Sequence, residues 1–331
     1  MRPTIRDVAS KAGVSIATVS RALRDPQIVS KETQSKVALA AQELDYVPNH
    51  LGRQLAERRH AANGIVFPDL SGPYFAEVVL GYEAVAAELG RSVLLLSTRG
   101  RESAAAMVHD LAARTDGLVV LGRTVPDDAL HSLVRRGVPL VLLARTPLAE
   151  IDSLNAENRQ TARALAAHLT AAGAGAITFV GDPDLSPDIA ERLEGLEAGA
   201  GGATVTVTRT PELDEGSGQR AGDAVVASGR LPDAFACAND ELALGLMTTL
   251  RAGGVRVPDD VLVSGWDDVM AARYAGLTTV RQPMRDLGAT AARMLDELIR
   301  GQRTEPRHEV LATELIIRTS TTSTTGTTST T

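Results

Sequence analysis

Residues 4–23 read TIRDVASKAGVSIATVSRAL. Thr4 can cap a helix whose apolar residues Ile5, Val8, Ala9 and Ala12 fall on one helical face. Asp7 stands at its capping-box position. Gly13 ends that helix, and Gly13, Val14 and Ser15 make a three-residue turn. Ser15 caps a second helix, Ile16 to about Leu23, with Val19 and Leu23 facing inward. Two helices joined by such a turn form a helix-turn-helix unit. Its second helix lies in the major groove of DNA, N-terminal residues towards the base edges. Those residues are Ser15, Ile16, Ala17, Thr18, Ser20 and Arg21. Hydroxyls suit phosphate oxygens, and a guanidinium suits guanine O6 and N7. Ile16 and Ala17 offer apolar contact, for instance to a thymine methyl.

Outward from that stretch, Ser30 caps a third helix carrying Val37, Ala40, Ala41 and Leu44. It ends at Tyr46-Val47-Pro48-Asn49, because the residue before proline is pushed out of the α region. Asn49 can cap a fourth short helix, His50 to about Glu57, with Leu51 and Leu55 on one face. Residues 1–60 hold ten Lys/Arg against six Asp/Glu, a net +4, which leaves −11 on the other residues of a chain whose total is −7. All three lysines lie in the first 36 residues. A basic head on an acidic body fits a head that alone meets a polyanion.

From Gly64 the pattern changes. Short apolar runs alternate with helix-length segments: Gly64-IVFPDL, Ser92-VLLLST, Gly117-LVVLG, Val138-PLVLLA, Ala176-ITFVGD, Ala203-TVTVT, Ala234-FACAND and Val261-LVSGWDD. Such alternation indicates parallel sheets buried on both faces. It is compatible with a barrel or with two doubly wound sheets. Several runs end in a polar residue before a helix: Asp69, Asp182, Asn239 with Asp240, and Asp267 with Asp268. Ligands of open α/β sheets bind beyond such strand ends. Asp240 is assigned to capping the helix after it.

The head, with DVASKAGVSIATVSRAL and LDYVPNHLGRQLA, resembles the LacI/GalR family of bacterial transcription regulators. The body matches in order through VFPDLSGPYFAEVVLGYEAVAAELG, GLVVLG, ERLEG, ANDELALG, VPDDVLVSGWDD and TTVRQP, so the likeness spans about residues 4–318. It implies a small all-α helix-turn-helix head (1–48) and a hinge helix and linker (49–60). It further implies an α/β periplasmic-binding-protein-like body (61–318) of two doubly wound parallel-sheet subdomains, the chain crossing near 158 and 282. In the family, paired hinge helices enter the minor groove and a leucine wedges into a central step, which kinks the duplex. Leu55 matches the wedge and Leu51 the residue that packs on the partner hinge. Gly52 weakens the free hinge by roughly 0.8–1 kcal/mol relative to alanine. Thr4, Tyr46, Asn49 and Leu55 complete the expected DNA contacts.

The resemblance also implies an effector cleft between the subdomains, whose closure a small molecule changes. Arg192, Asn239, Asp267 and Gln282 carry over by position, and Asp69, Tyr74, Phe75, Arg145 and Trp266 are expected to line the same cleft. An arginine and an aspartate facing each other can bind adjacent hydroxyls, one donating and one accepting. The implied ligand is a sugar or sugar derivative. Ala144 stands where many members have an aspartate before Arg145, which removes one hydroxyl acceptor.

Partners so implied are double-stranded operator DNA, a sugar-like effector and a second copy in a homodimer. The tail from Thr319 has no leucine heptad for a tetramer and is nearly all Ser/Thr, a composition that stays disordered. No cofactor or metal is expected. The single cysteine, Cys237, cannot form an internal disulfide, and the six histidines are scattered. GxSxG, GxxxxGK[ST], HExxH and a post-strand GxGxxG are absent, so an enzyme is not expected. A periplasmic binding protein would suit the body, but the N-terminus has no apolar signal region, and no apolar run approaches membrane-span length. The expected location is the cytoplasm, at the nucleoid when bound to DNA.

Overall fold

The computed structural model describes residues 3–24, 26–46 and 60–322. The hinge positions Asn49, Leu51, Gly52 and Leu55 lie outside the described residues. The chain divides into a head, residues 1–60, and a body, residues 61–331.

The head holds α1 (Ile5–Ala12), α2 (Ile16–Arg24), a 3₁₀ turn (Pro26–Ile28) and α3 (Lys31–Glu43). Val8, Ala9, Val19, Ala22, Val37 and Ala40 form its core. Leu23, expected inside, is exposed; Ala22 takes the inward place beside Val19. Gly13 closes α1 at φ 66°, a left-handed conformation that glycine adopts without strain. Ser30 caps α3, its hydroxyl accepting from the Thr33 amide.

The body begins with β1 (Ala62–Phe67), α4 (Pro73–Glu88), β2 (Ser92–Ser97), α5 (Ala104–Ala112), β3 (Leu118–Leu121), α6 (Asp127–Arg135), β4 (Leu140–Leu143) and β5 (Asp152–Ala156). It continues with α7 (Arg159–Ala171), β6 (Ala176–Val180), α8 (Pro187–Gly199), β7 (Thr204–Thr208), α9 (Glu215–Ser228), β8 (Ala234–Cys237), α10 (Asp240–Ala252) and β9 (Leu262–Ser264). Last come α11 (Met270–Ala275), β10 (Thr279–Arg281), α12 (Met284–Ile299), β11 (His308–Leu311) and β12 (Glu314–Ile316).

The strands form two separate parallel sheets, not a barrel. Sheet A has the order β11-β5-β4-β3-β1-β2 and sheet B the order β7-β6-β8-β9, while β10 and β12 pair antiparallel. The chain leaves sheet A after β5, returns between β10 and α12, and crosses again between β11 and β12. The third crossing was not anticipated. At these crossings the Thr313 hydroxyl donates to the Glu157 carbonyl (2.9 Å), and the Glu157 amide to the Leu311 carbonyl (2.8 Å).

Helices α4 and α12 cover one face of sheet A so closely that a Cβ at Gly288 would collide with the Val78 carbonyl. The expectation of strands buried on both faces fails at the edges. On β2, Leu94 and Leu95 are exposed, as is Val207 on β7, because each strand has a neighbour on one side only. The expected disorder from Thr319 is corrected at its start. Thr319–Thr321 form a 3₁₀ turn, Ser320 and Thr321 are buried, and the Ser320 hydroxyl donates to the Val263 carbonyl (2.6 Å). Among the described residues no helix is long and apolar enough to cross a membrane.

Candidate functional site

The head presents the start of α2. The Ser15 hydroxyl accepts from the Thr18 amide (3.1 Å) and lies 2.8 Å from the Thr18 hydroxyl, so it caps the helix that carries the other candidates. Ile16, Ala17, Ser20 and Arg21 are exposed on that helix, and Thr18 is half-buried. Ile16 is 45% exposed at the start of α2. Arg21 has no hydrogen-bond or ion-pair partner among the described residues, whereas Lys11 pairs with Glu43 and Lys36 with Glu32. Thr4 donates from its amide and hydroxyl to Asp7, both at 2.7 Å, and these bonds hold the Asp7 carboxyl below its ordinary range. Tyr46 packs on the head core.

In the body, a cavity of about 410 Å³ opens beyond the carboxyl ends of the two sheets. From the sheet A side it is lined by Asp69, which follows β1, and by Tyr74 and Phe75 in the first turn of α4. From the sheet B side come Arg192 on α8, Asn239 at the start of α10 and Asp267 after β9, with Gln282 at the chain crossing.

Arg192 is fixed from three sides. Its Nε donates to Asn158 Oδ1 (3.0 Å), its Nη1 to the Ala238 carbonyl (2.6 Å), and its guanidinium stacks 4.7 Å from the Trp266 ring centroid. Nη2 has no hydrogen-bond partner among the described residues. Asp267 accepts from Gln282 Nε2. Burial pushes its carboxyl up to about 6, while Arg192 and Gln282 pull it down and Asp188 pushes it further up. Asp267 is also held at φ 118°, a strained value for a side-chain-bearing residue, by the bond from its amide to the Val280 carbonyl (2.8 Å). Tyr74 is half-buried, and loss of water around its phenol raises it and keeps it a protonated donor.

Three expectations are corrected. Arg145 does not line this cavity. Its guanidinium turns away to the carbonyls of Gly122 (2.9 Å) and Val125 (2.8 Å) and to Asp127, so it shapes the 122–127 loop. Trp266 lies behind Arg192, only 2% exposed, packed on Ala162, Val280 and Leu315. Asp240 does not cap α10: Asn239 does, with Oδ1 accepting from the Leu242 amide (3.0 Å) and Nδ2 donating to the Leu213 carbonyl (2.8 Å). Asp240 is buried instead, accepting from the Val269 amide (2.9 Å) and the Thr279 hydroxyl (2.6 Å).

Sequence reasoning missed Asp188, Glu241 and Arg99, all on the cavity wall. Asp188 stands four residues before Arg192 on α8, a spacing that puts both on one face and could have been read. Burial raises its carboxyl. Glu241 lies inside the ANDELALG motif. Arg99 offers no local signal. It bridges Asp69 (2.9 Å) on its own side to Glu212 on the other.

Residues 4–49 match the description "Bacterial regulatory proteins, lacI family", and residues 166–321 match a periplasmic binding protein-like domain. The HTH-type transcriptional repressor PurR of Photobacterium profundum is 32% identical over 96% of this chain and 98% of its own. The repressor CytR of Escherichia coli is 29% identical over 96% of each chain. The lac repressor dimer bound to operator and an anti-inducer superposes with a TM-score of 0.87 at 30% identity, covering 98% of this chain and 100% of that one. A CelR–cellobiose complex gives 0.72 at 30% identity, covering 96% of this chain and 100% of its own. With the helix-turn-helix head, the two-sheet body and the likeness running nearly end to end, the chain belongs to the lacI family of bacterial transcriptional repressors.

Proposed function

We propose that this repressor binds a near-palindromic operator as a homodimer and that a sugar-like molecule in the body cavity sets its operator affinity. One observation carries the effector reading. Arg192 and Asp267 meet Asp69, Tyr74 and Phe75 across a single cavity, with donor, acceptor and aromatic surfaces facing one another. That is the set a hydroxylated ring requires, its hydroxyls bonded at the edge and its apolar face stacked. Relatives solved with cellobiose and with ribose support the class. A ligand touching both sides favours one degree of closure, and it shifts operator affinity only through its unequal affinity for the two states.

For the head, Ser15, Thr18 and Ser20 contact phosphates, Arg21 reads guanine, Ile16 and Ala17 face the bases, and Thr4, Tyr46 and Asn49 hold the backbone. Leu55 of the hinge wedges into the minor groove. Half-sites then lie roughly 10 bp apart, one helical turn. The exposed Leu94 and Leu95 on edge strand β2 supply part of the surface that a second copy covers. Operator binding places the protein in the cytoplasm, at the nucleoid. The test is to enrich genomic fragments on the full-length protein, then to titrate sugars into the labelled complex. Release or tightening by a sugar is expected; indifference to every sugar would overturn the effector reading.

A further inference from the structure

The cavity's charge is one-sided. Asp69, Asp188, Glu212, Asp214, Glu241 and Asp267 line it against Arg99, Arg123 and Arg192. Arg99 is already engaged by Asp69 and Glu212, and Arg192 by Asn158 and the Ala238 carbonyl, while Arg123 is exposed to solvent. Glu241 is one carboxylate left over. It has no hydrogen-bond or ion-pair partner among the described residues. Burial pushes it up to about 7, and Asp267, Asp214, Asp69 and Glu215 add to the push in that order. It also spans the cleft. Glu241 belongs to the first turn of α10 on the sheet B side, yet a Cβ at Gly72, before α4 on the sheet A side, would lie 2.5 Å from its Oε2.

A second observation is independent of charge. Gln282 is 4% exposed and lines the cavity, and its Oε1 is buried without a partner while its Nε2 serves Asp267. A buried acceptor left empty calls for an N–H or O–H donor.

Resting on the effector reading above, we propose that the effector is a hydroxylated molecule bearing a protonated amine, seated between Glu241 and Asp267, with Arg192 and Gln282 Oε1 taking its hydroxyls. An ammonium supplies three donors and one positive charge where the walls supply acceptors and negative charge. It also gives closure a driving force. Asp69 stands on one side of the cleft and Glu241, Asp214 and Asp267 on the other, so closing the cleft brings Glu241 towards Asp69 beside the Arg99 bridge, whose charge Asp69 and Glu212 already share. A bound ammonium favours that approach, which is the unequal affinity for two states that a signal needs.

The full-length protein is titrated calorimetrically at neutral pH with matched pairs: D-glucosamine and D-glucose, D-galactosamine and D-galactose, and the chitosan disaccharide and cellobiose. In at least one pair the amine is expected to bind about tenfold tighter or better, as a charge-assisted bond warrants. Glu241→Gln is expected to bring that pair to within about twofold. Neutral members that equal or exceed their amines in every binding pair overturn the inference and leave the polyol reading standing. A preference that survives Glu241→Gln overturns the seat. If no member of any pair binds, the inference falls, and the wider sugar titration decides the polyol reading. Should Glu241→Gln not fold, the wild-type pairs decide the charge preference alone.

Discussion

Gln282 Nε2 donates to Asp267 Oδ1 at 2.6 Å, fastening the residue where the chain returns to sheet A onto the carboxylate that follows β9. Ligand contact at Asp267 is thereby tied to a strand crossing that any closure of the cleft must bend. Removing a hydrogen bond to a charged group costs about 1.5–3 kcal/mol. Arg192→Ala and Asp267→Ala should therefore weaken effector binding about tenfold or more, and Gln282→Ala should weaken the operator response to effector as well. Calorimetry with the effector and operator titration measure the two separately. Normal values for all three variants would remove this cluster from the site.

Operator binding should weaken steeply as salt rises, with log K falling linearly in log salt as counterions leave the phosphates. Arg21→Ala should cost about 1–3 kcal/mol of discrimination between operator and a site changed at one guanine. Fluorescence anisotropy across a salt series reads both. A flat salt dependence would mean that the basic head does not bind DNA through its phosphates.

Glu241 gives a pH signature. Its carboxyl stands at about 7 in the folded chain against an ordinary 4.5. Folding favours the protonated form, so its stabilising contribution is complete below about pH 4.5 and is lost as pH rises through 7. Glu241→Gln escapes that loss. Its melting temperature should exceed the wild-type value by a margin that widens between pH 5 and pH 8 and stays modest, since solvent screens a half-buried group. A margin independent of pH would contradict the charged environment assigned to it.

Gly288 has no room for a methyl group. Gly288→Ala drives a Cβ into the Val78 carbonyl and separates α12 from α4. Overpacking of this kind costs about 1–3 kcal/mol, so the melting temperature of the body should drop by several degrees while head binding to DNA fragments persists. An unchanged melting temperature would refute the packing described for these helices.

Leu95, 47% exposed on the edge strand of sheet A, should be covered in the dimer. Leu95→Glu is expected to shift sedimentation from dimer to monomer and to weaken operator binding. A dimer that persists places the interface on another face.

The eight apolar runs were legible because each becomes a strand at the expected place, the inner ones buried and the edge strands β2 and β7 partly exposed. β5, with the sequence DSLNA, was not, since it looks polar. Its Asp152 is buried because Arg303 reaches it from 151 residues away, and Ser153 pairs with His308. No local pattern announces partners at that distance. The cavity residues were read from motif positions, which place a Cα but not a side chain. Arg145 thus sits at an anticipated position yet turns to the 122–127 loop, and Trp266 faces the core behind Arg192. The Arg99–Glu212 bridge joins residues 113 apart and exists only once the two sheets face each other.

The chain contains one tryptophan, and it lies beneath the Arg192 guanidinium. A cation held against an indole face perturbs its excited state, and any ligand that draws Arg192 towards itself alters that contact. The four tyrosines are not excited at long ultraviolet wavelengths, so the emission there comes from a single ring. The binding site therefore carries its own optical reporter. Unlabelled protein in a cuvette can register which candidate molecules reach Arg192, and how fast, before any operator sequence is known.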